Sequence, residues 1–355
     1  MIYKKRQVEM EKKVLIIGPY FHGYNQSVEK AFKKLGWETK VVDFYESYHP
    51  ITYKNRFLYG LLPLIGVKHF ATKYDNYINS VMLKEYNEFK PGLVFVIKGH
   101  KVMESTLMAM KKSKTILWMM DSIFNRYGKK FYTYKSILNY DFRFMFEYTD
   151  VVNFEKEGVK AYFMPMAYDE TIYYPEKNAV KDIDLFMTGL IYPVREKIML
   201  RLIKEFKDIK MKFYGHYLVW RYPLRYIRYY LLGYRKYFMD RNIEPSEINK
   251  LNSGSKITLN IHHNQSNFGC NPRVYETLGS GAFHIVDEND YIKDNFSDAV
   301  VTFKNYEDLA KKLRYYLNNP NEREIIAEIG HNKVFNNHKY TDRIKEILDI
   351  AGIET

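Results

Sequence analysis

The sequence predicts an α/β protein made of two successive domains, each with a parallel sheet covered by helices. Three observations support this prediction. Short apolar runs alternate with helix-like segments from about residue 14 onward. The same alternation begins again after Pro175. The chain has 355 residues, which is enough for each of two domains to bury its own core.

The first series opens with a buried strand at Val14–Gly18 and a helix near Gln26–Leu35. Further strands are expected where apolar residues form short runs, and a helix is expected where they recur at helical spacing. These strands are Lys40–Phe44, Pro91–Lys98, Thr115–Met120 and Phe142–Phe146, and the helix is Val102–Lys112.

The second series repeats this pattern and carries the chain to its end. Its strands are expected at Ile183–Thr188, Ile209–Tyr214, Lys256–Ile261, Ala282–Val286 and Ala299–Phe303. Its helices are expected at Val194–Phe206, Tyr306–Leu317, Glu322–Phe335 and near Asp342–Ile350. Because ligands of such sheets bind beyond the carboxyl ends of the strands, a cleft between the two domains is the expected active site.

The chain is basic, with 55 Lys and Arg residues against 42 Asp and Glu and a formal charge of +13. Such a surplus attracts nucleic acid, anionic lipid headgroups or phosphorylated substrates, and it does not choose among them. The single cysteine, Cys270, excludes an internal disulfide and fits a reducing compartment. The charged amino terminus lacks the apolar core of a signal peptide. We expect a cytoplasmic protein whose charge would allow peripheral contact with the inner face of the membrane.

A glycine-containing loop follows the first predicted strand, from Gly18 to Gly23. Glycines let the backbone approach a ligand closely, and the amino terminus of the next helix offers N–H groups to an anion. The spacing matches neither G-x-G-x-x-G nor G-x-x-x-x-G-K-[ST]. The loop is therefore predicted to bind an acceptor or a phosphate, with a plain tight turn as the alternative.

Two polar residues follow later strands of the first domain. His100 comes after the strand ending at Lys98, and Asp121 follows Met120 directly. A histidine there could accept a proton or bind a phosphate, and an aspartate could orient an acceptor hydroxyl. The alternatives are a hydrogen-bonded loop histidine and an amino-terminal cap for the segment that begins near Ile123.

The second domain opens with a strand, a glycine and a helix that starts with two cations, at Gly189, Arg195 and Lys197. The positive end of a helix and a guanidinium fork both stabilise charge on a leaving phosphate. These residues are candidates for a diphosphate clamp. A solvated helical turn with ordinary charges is the alternative.

A denser constellation lies at Asn271, Arg273 and Glu276, at a loop-to-helix junction before the break Gly279-Ser280-Gly281. Arg273 and Glu276 are three residues apart and share one helical face. A carboxylate there can accept two hydrogen bonds from a ribose diol, while the amide and guanidinium reach phosphate or sugar. The alternative is a surface salt bridge, which the apolar strands on both sides disfavour. We therefore predict one half of a nucleotide-sugar site.

No metal site is predicted. Asp182 and Asp184 have the D-x-D spacing of a metal-binding pair, but they lie at the start of a strand, the wrong end for a ligand. His262 and His263 are adjacent, so their side chains would point to opposite faces of an extended segment.

The segment Tyr214–Phe238 is unusually basic and aromatic. It fits an amphipathic helix on an anionic membrane, or a surface that stacks RNA or single-stranded bases. It also fits a helical insertion that packs its aromatic side chains into the second domain.

The segment Asn260–Asp287 resembles the second domain of two-domain (GT-B fold) glycosyltransferases, specifically the spore-maturation, CgeB-like group. Those proteins carry an N-x-R-x-x-E block, a small-residue turn and then an apolar strand that ends in an acid. Other parts agree in order, including Pro91–His100, Phe154–Pro175 and Asp184–Gly189 with Arg195 after it. The resemblance extends from about residue 13 to about residue 348.

This resemblance implies two Rossmann-like domains that face each other across a cleft. Residues 1–176 would form the acceptor-binding domain, with the helix over about 340–355 packing back on it. Residues 177–339 would hold a nucleotide-diphosphate sugar, most often a UDP-sugar, with no metal or further cofactor.

The resemblance also suggests roles for single residues. Related retaining transferases place one acid of an E-x7-E motif on the sugar and the second on the ribose. Glu276 matches the second acid, whereas Phe268 occupies the place of the first, which leaves the sugar open. Arg195, with Lys197, would stabilise the diphosphate. Asp121 lies near the strand end where related enzymes keep a sugar-facing histidine.

The expected function is a metal-independent, retaining transfer of sugar to a glycan, a protein or a lipid-linked acceptor. One alternative is an NAD(P)-dependent oxidoreductase, which would explain Gly18 and Asp43 but lacks the G-x-G-x-x-G fingerprint. The other is a basic protein that binds membrane or nucleic acid without catalysis. The oxidoreductase also leaves the 271–276 block unused, and nucleic acid is the less favoured partner.

Overall fold

The computed structural model describes residues 11–19, 23–44, 69–124, 134–215, 223–239, 241, 243–263 and 268–355. The chain divides into two compact units. The amino-terminal unit consists of Met1–Pro165 and Tyr340–Thr355, and the carboxy-terminal unit is Met166–Lys339.

The second unit begins earlier in the chain than the expected residue 177. Tyr168 N donates to His338 O at 3.1 Å, which ties this stretch to the end of the same unit. The Tyr168 ring also lies so close to Gly279 that a Cβ on that glycine would be 2.4 Å from it. These contacts hold residues 166–176 on the carboxy-terminal unit.

The amino-terminal unit contains a parallel sheet whose order is β2-β1-β3-β4-β5-β6 among the described residues. Its strands are β1 Lys13–Gly18, β2 Glu38–Asp43, β3 Leu93–Ile97, β4 Lys114–Met119, β5 Phe142–Met145 and β6 Tyr162–Phe163. The central strands are near-continuous apolar runs, and every residue of Leu93–Ile97 is buried. This is the composition expected when helices cover both faces of a parallel sheet.

The carboxy-terminal unit contains a second parallel sheet, in the order β12-β11-β10-β7-β8-β9 within its described ranges. Its strands are β7 Ile183–Thr188, β8 Met211–Tyr214, β9 Phe238–Met239, β10 Ser255–Asn260, β11 His284–Asp287 and β12 Val301–Phe303. The predicted strands of both units are confirmed to within a few residues, and so is the α/β class.

Helices connect the strands in both units. In chain order they are α1 Tyr24–Lys34, α2 His69–Phe89, α3 Glu104–Ala109, α4 Tyr134–Leu138, α5 Tyr148–Lys156, α6 Pro193–Glu205, α7 Pro223–Leu231, α8 Pro245–Ser253, α9 Pro272–Gly279, α10 Asp290–Phe296, α11 Tyr306–Asn318, α12 Pro320–Asn337 and α13 Tyr340–Ile350. Helix α13 belongs to the amino-terminal unit, where the Tyr340 ring meets Trp118 edge-on with centroids 5.9 Å apart. None of the described helices is both long enough and apolar enough to cross a bilayer.

Each sheet reverses its strand order beside its first strand. In the amino-terminal unit the chain leaves β1 toward β2 and later returns on the other side as β3. In the carboxy-terminal unit β7 lies in the same way between β8 and β10. The loops that follow the two strands diverge at such a point and leave a crevice at the carboxyl ends, where ligands of these folds bind. Gly18 ends β1, and Gly189 directly follows β7.

The D-x-D pair lies away from these crevices. Asp182 and Asp184 stand at the amino end of β7, where they form ion pairs with Lys210 and Lys256 at 2.6 and 2.7 Å. This confirms the interpretation of the pair as a strand entry.

The basic, aromatic segment folds as α7, a 3₁₀ turn at Tyr234–Lys236 and β9, while residues 216–222 lie outside the described part of the chain. Tyr229 is buried, donates its hydroxyl to Phe238 O and meets the Phe238 ring edge-on at 5.6 Å. One face of α7 therefore packs into the carboxy-terminal unit. The opposite face exposes Leu224, Ile227 and Leu231.

Candidate active site

The crevice between β7 and β10 is organised by Arg195, in the first turn of α6. The side chain is buried, and its Nε donates to Ile261 O at 2.8 Å. Nη1 donates to Leu190 O at 3.0 Å, and Nη2 donates to Ile261 O as well. The guanidinium thus ties the chain just beyond β10 to the loop that follows β7.

Arg195 keeps its positive charge in this buried place. Burial lowers the pKa of its guanidinium to about 10, and Tyr192 and Asp287 partly oppose this effect. The group is therefore cationic at neutral pH, with the Tyr192 ring centroid 5.5 Å from Cζ. Its hydrogen bonds go to neutral carbonyls, and no carboxylate forms a direct ion pair with it in the described residues. The positive charge is therefore not cancelled by a neighbouring acid. Three of the five N–H groups of an arginine are used, and two remain for an anion.

Two glycines make this arrangement possible. Gly189 has φ 133°, and a Cβ at this position would lie 2.7 Å from Arg195 Nη1. Gly215 has φ 151°, and a Cβ there would lie 1.8 Å from Gly189 O. Side chains at either position would displace the loop that faces the guanidinium.

Lys197 does not join this group. It is exposed on α6, and it is two residues from Arg195, so the two side chains leave the helix in different directions. The structure therefore separates the two cations that the sequence pattern had suggested for a diphosphate clamp.

Asn271 and the amino terminus of α9 lie beside the end of β10. The Asn271 amide exchanges two hydrogen bonds with Asn260, at 3.2 and 3.3 Å. Asn271 occupies the cap position of α9, but its side chain does not cap the helix. Val274 N donates to Asn271 O at 3.3 Å, and the positive end of the helix dipole lies beside Asn271.

Arg273 and Glu276 form an ion pair on one face of α9. Only 4% of the Glu276 side chain and 16% of the Arg273 side chain are exposed, which rules out the surface salt bridge. Arg273 also lines a small cavity with Thr188, Asn260 and His284. This cavity measures about 10 Å³, the size of a single water molecule.

Two histidines lie beneath this region, His262 and His284. The sequence analysis considered His262 only as a metal ligand and did not single out His284. Thr258 Oγ1 donates its one proton to Phe283 O at 2.8 Å, so it accepts from His284 Nδ1–H, also at 2.8 Å. The His262 backbone N–H and Nδ1–H both donate to Asp287 Oδ1, at 2.7 and 2.8 Å. In the neutral form of each ring, Nε2 is therefore the acceptor, and both Nε2 atoms are buried without a partner in the described residues.

The neighbouring His263 takes a different direction. Its ring lies against Tyr192, with centroids 4.6 Å apart, whereas the His262 ring turns to Asp287. Within the described ranges, no three His, Cys, Asp or Glu side chains come together as a metal-binding group.

The corresponding crevice of the amino-terminal unit, between β1 and β3, holds a neutral amide. A Cβ on Gly18 would lie 2.2 Å from Asn25 Oδ1 and 3.0 Å from Ile97 Cβ, so a side chain there would displace the Asn25 amide. Gly23 has φ 70° at the start of α1, and residues 20–22 lie outside the described part of the chain. Asn25 is fully buried, and its side-chain nitrogen and oxygen have no hydrogen-bond partner among the described residues.

Lys98, His100 and Asp121 cluster at the carboxyl ends of β3 and β4. Lys98 Nζ lies 3.0 Å from Asp121 Oδ2. Burial, together with the charges of Lys98 and Lys101, lowers the pKa of His100 to about 4. His100 is therefore neutral at physiological pH, and its ring packs edge-on against Phe44 at 5.0 Å.

Asp121 is not the cap of the segment at Ile123. That role belongs to the buried Asp150, whose carboxylate accepts from Ser122 Oγ and Ile123 N, each at 2.8 Å. Burial raises the pKa of Asp150 to about 6. At the end of β4, Asp121 is instead the partner of Lys98.

Residues 195–349 match the family model described as "Glycosyl transferase-like". The match begins at Arg195 and includes Asn271, Arg273 and Glu276. Among curated proteins, no sequence match is found.

Solved structures share the fold over nearly the whole chain. Sucrose-phosphate synthase from Thermosynechococcus elongatus has a TM-score of 0.65 at 11% identity, covering 96% of this chain and 98% of that one. A trehalose-6-phosphate synthase studied for glycosyl transfer with retention has a TM-score of 0.67 at 11% identity, with coverages of 97% and 100%. Anabaena HepE, solved with UDP and glucose, has a TM-score of 0.63 at 10% identity, with coverages of 96% and 99%.

These comparisons confirm two predictions. The two parallel sheets belong to the GT-B fold, which these synthases share. With the family match over the carboxy-terminal unit, the chain is a glycosyltransferase.

The buried histidine of this site predicts a pH dependence of stability. Burial and the nearby His262 lower the pKa of His284 from 6.5 to about 3. The unfolded chain therefore takes up this proton at a higher pH than the folded protein does. The free energy of unfolding should fall by about 3 kcal/mol through this group as the pH drops from 6.5 to 4.

Urea unfolding at a series of pH values measures this effect. His284→Asn keeps an N–H donor for Thr258 and cannot titrate, so its free energy of unfolding should fall less over the same pH range. An unchanged pH profile in His284→Asn would contradict the assignment.

Proposed function

We propose that the protein transfers a sugar from a UDP-sugar to a glycan, a protein or a lipid-linked acceptor. The observation that carries this proposal is the buried Arg273–Glu276 pair on α9. The pair lies in the same unit as Arg195, whose charge no direct ion pair cancels among the described residues. A carboxylate for a ribose and a cation for a diphosphate are the two requirements of a nucleotide-sugar site.

Glu276 is the proposed ribose ligand. One of its carboxylate oxygens is engaged by Arg273, which fixes the position of the side chain. Ribose hydroxyls would donate to this carboxylate. Because Glu276 is almost fully buried, each such hydrogen bond would be shielded from water and strengthened.

Arg195, Gly189 and the start of α6 are the proposed diphosphate site. The guanidinium has two N–H groups left after its bonds to Leu190 O and Ile261 O. The positive end of α6 adds to the same potential. Lys197 is exposed and would contribute only at longer range.

The donor is assigned to UDP because neighbours of the same fold are UDP-forming or were solved with UDP. The sugar is left open. Phe268 stands where related transferases keep a sugar-binding acid, and its ring meets Tyr291 edge-on at 5.7 Å. An apolar contact of this kind offers no acceptor for a sugar hydroxyl.

The proposed transfer proceeds with retention and without a metal. As the anomeric carbon gains oxocarbenium character, charge builds up on the departing diphosphate. Arg195 and the helix amino termini would neutralise it, which is the task a metal performs in other transferases. Retention is supported by the neighbour described as transferring with retention. The N-x-R-x-x-E block supports an assignment to the CgeB-like group.

The amino-terminal unit is the proposed acceptor domain. His100 is neutral at physiological pH and could accept a hydrogen bond from an acceptor hydroxyl. Asp121, held by Lys98, could orient the same group. The loop from Gly18 to Gly23 would approach the acceptor or its phosphate.

Glu276→Gln tests the donor site. The change removes the charge that holds ribose hydroxyls, so the affinity for UDP-glucose should fall roughly 10- to 100-fold. Glu346→Gln is a matched control, because Arg343 and Glu346 form the same i, i+3 pair on α13, outside the carboxy-terminal unit. Isothermal titration with UDP and UDP-glucose gives the affinities.

Two outcomes would overturn the donor assignment. The first is a folded wild-type protein that binds neither UDP nor UDP-glucose. The second is equal affinity in Glu276→Gln and in the wild type. Loss of binding in Glu346→Gln as well would show that the effect is not specific to the site.

We also propose that α7 touches an anionic membrane. Leu224 and Leu231 are each 79% exposed, and Ile227 lies between them on the same helical face. Arg235 and Lys236 follow in the next turn and are exposed. An apolar stripe with cations beside it is the pattern of a helix that lies in a lipid headgroup region.

Sedimentation with vesicles tests this contact. The protein should bind vesicles of phosphatidylglycerol and phosphatidylcholine, and binding should weaken with salt. Leu224→Ser/Leu231→Ser should lose most of the binding. Ile325→Ser/Ile329→Ser, on an exposed part of α12, is the matched control and should keep it. Equal binding by both double variants would contradict the proposal.

A further inference from the structure

A second pocket lies in the carboxy-terminal unit, at the ends of the strands opposite to those near Arg195. Lys181 precedes β7, Lys256 stands near the start of β10, and Phe283 precedes β11, so the pocket is at the amino ends of these strands. Arg323 and His331 of α12 line its other side. Its volume is about 270 Å³, close to the lower limit of roughly 300 Å³ for small-molecule pockets.

Two cations of this pocket have no carboxylate bonded to them. Lys181 Nζ donates to Ser255 O at 3.3 Å, and Arg323 Nη1 donates to Leu317 O at 3.2 Å. No ion pair joins either of them to an acid in the described residues. Burial lowers the pKa of Lys181, and the charge of Arg323 lowers it further. Each cation therefore destabilises the charged form of the other until an anion binds between them.

The other charged residues of the pocket either form an ion pair or lie at its rim. Lys256 pairs with Asp184 at 2.7 Å. Glu324 and Glu328 line the rim and are exposed on α12, so water solvates their carboxylates. Glu324 raises the pKa of Lys181 and that of Arg323 through space, an influence that does not outweigh burial.

The rest of the lining is apolar and fixed. Pro175, Phe283 and Ala327 contribute carbon surface. Gly281 has φ 64°, and a Cβ there would lie 2.9 Å from Pro175 Cγ, so a side chain would alter this wall. A ligand must therefore combine a compact apolar body with a charged end that reaches Lys181 and Arg323.

We propose that this pocket binds a small phosphomonoester, at a site separate from the nucleotide site. Lys181 and Arg323 form no ion pair in the described residues, and their two positive charges would neutralise a phosphate, whose charge is nearly −2 at neutral pH. The apolar wall suits an aromatic or aliphatic body of the ester. This proposal does not depend on which donor the enzyme uses.

Isothermal titration with phenyl phosphate tests the site, with benzoate and phenol as comparison probes. Phenyl phosphate should bind most tightly, benzoate more weakly because it carries a single charge, and phenol not measurably. Lys181→Met should weaken phenyl phosphate about tenfold. Lys181→Arg, which keeps the charge, should retain most of the affinity.

Lys210→Met is the matched control, because Lys210 also precedes a strand but lies outside the pocket, paired with Asp182. It should bind phenyl phosphate as the wild type does. The affinity for UDP should be the same in Lys181→Met and the wild type, which separates this site from the proposed donor site. Lys181→Met should also melt no lower than the wild type, because it removes a partly buried cation that lacks an ion pair.

Absence of phenyl phosphate binding in the wild type would overturn the proposal. Equal binding of phenol would do so as well, since the pocket would then be only an apolar cavity. Unchanged affinity in Lys181→Met would show that the anion binds elsewhere.

Discussion

The carboxy-terminal unit is organised around one buried guanidinium whose hydrogen bonds go to backbone carbonyls. Arg195 bonds to Ile261 O and Leu190 O, so it fixes the end of β10 against the loop after β7. Since carbonyls are neutral, the cation stays electrostatically available to an anion at the crevice. This arrangement requires glycine at positions 189 and 215, because side chains there would collide with the guanidinium or with the loop.

The two crevices are built alike but differ in charge. Where the carboxy-terminal unit places Arg195, the amino-terminal unit places Asn25, a fully buried amide beside Gly18. His100, near that crevice, is also neutral at physiological pH, because burial lowers its pKa to about 4. A diphosphate carries concentrated negative charge, and an acceptor hydroxyl carries none. This difference is the physical reason to propose the donor for one unit and the acceptor for the other.

The sheets could be predicted from the sequence because strands buried on both faces are continuous apolar runs, as at Leu93–Ile97. Helix α2 was missed, although Ile78, Met82 and Tyr86 recur at helical spacing and are buried. The Arg273–Glu276 pair could be predicted from its spacing alone, because residues three positions apart share one face of a helix. The bond from Arg195 to Ile261 O could not be predicted, because it joins residues 66 positions apart through a backbone atom. The pairing of His262 with Asp287 was hidden for the same reason, since it depends on the register of β10 and β11.

A crystal structure of the protein with UDP is the most direct measurement of the central claim. We expect ribose hydroxyls within hydrogen-bond distance of the Glu276 carboxylate, with the diphosphate beside Gly189 and the first turn of α6. UDP bound at the crevice between β1 and β3, or a ribose that does not contact Glu276, would contradict it.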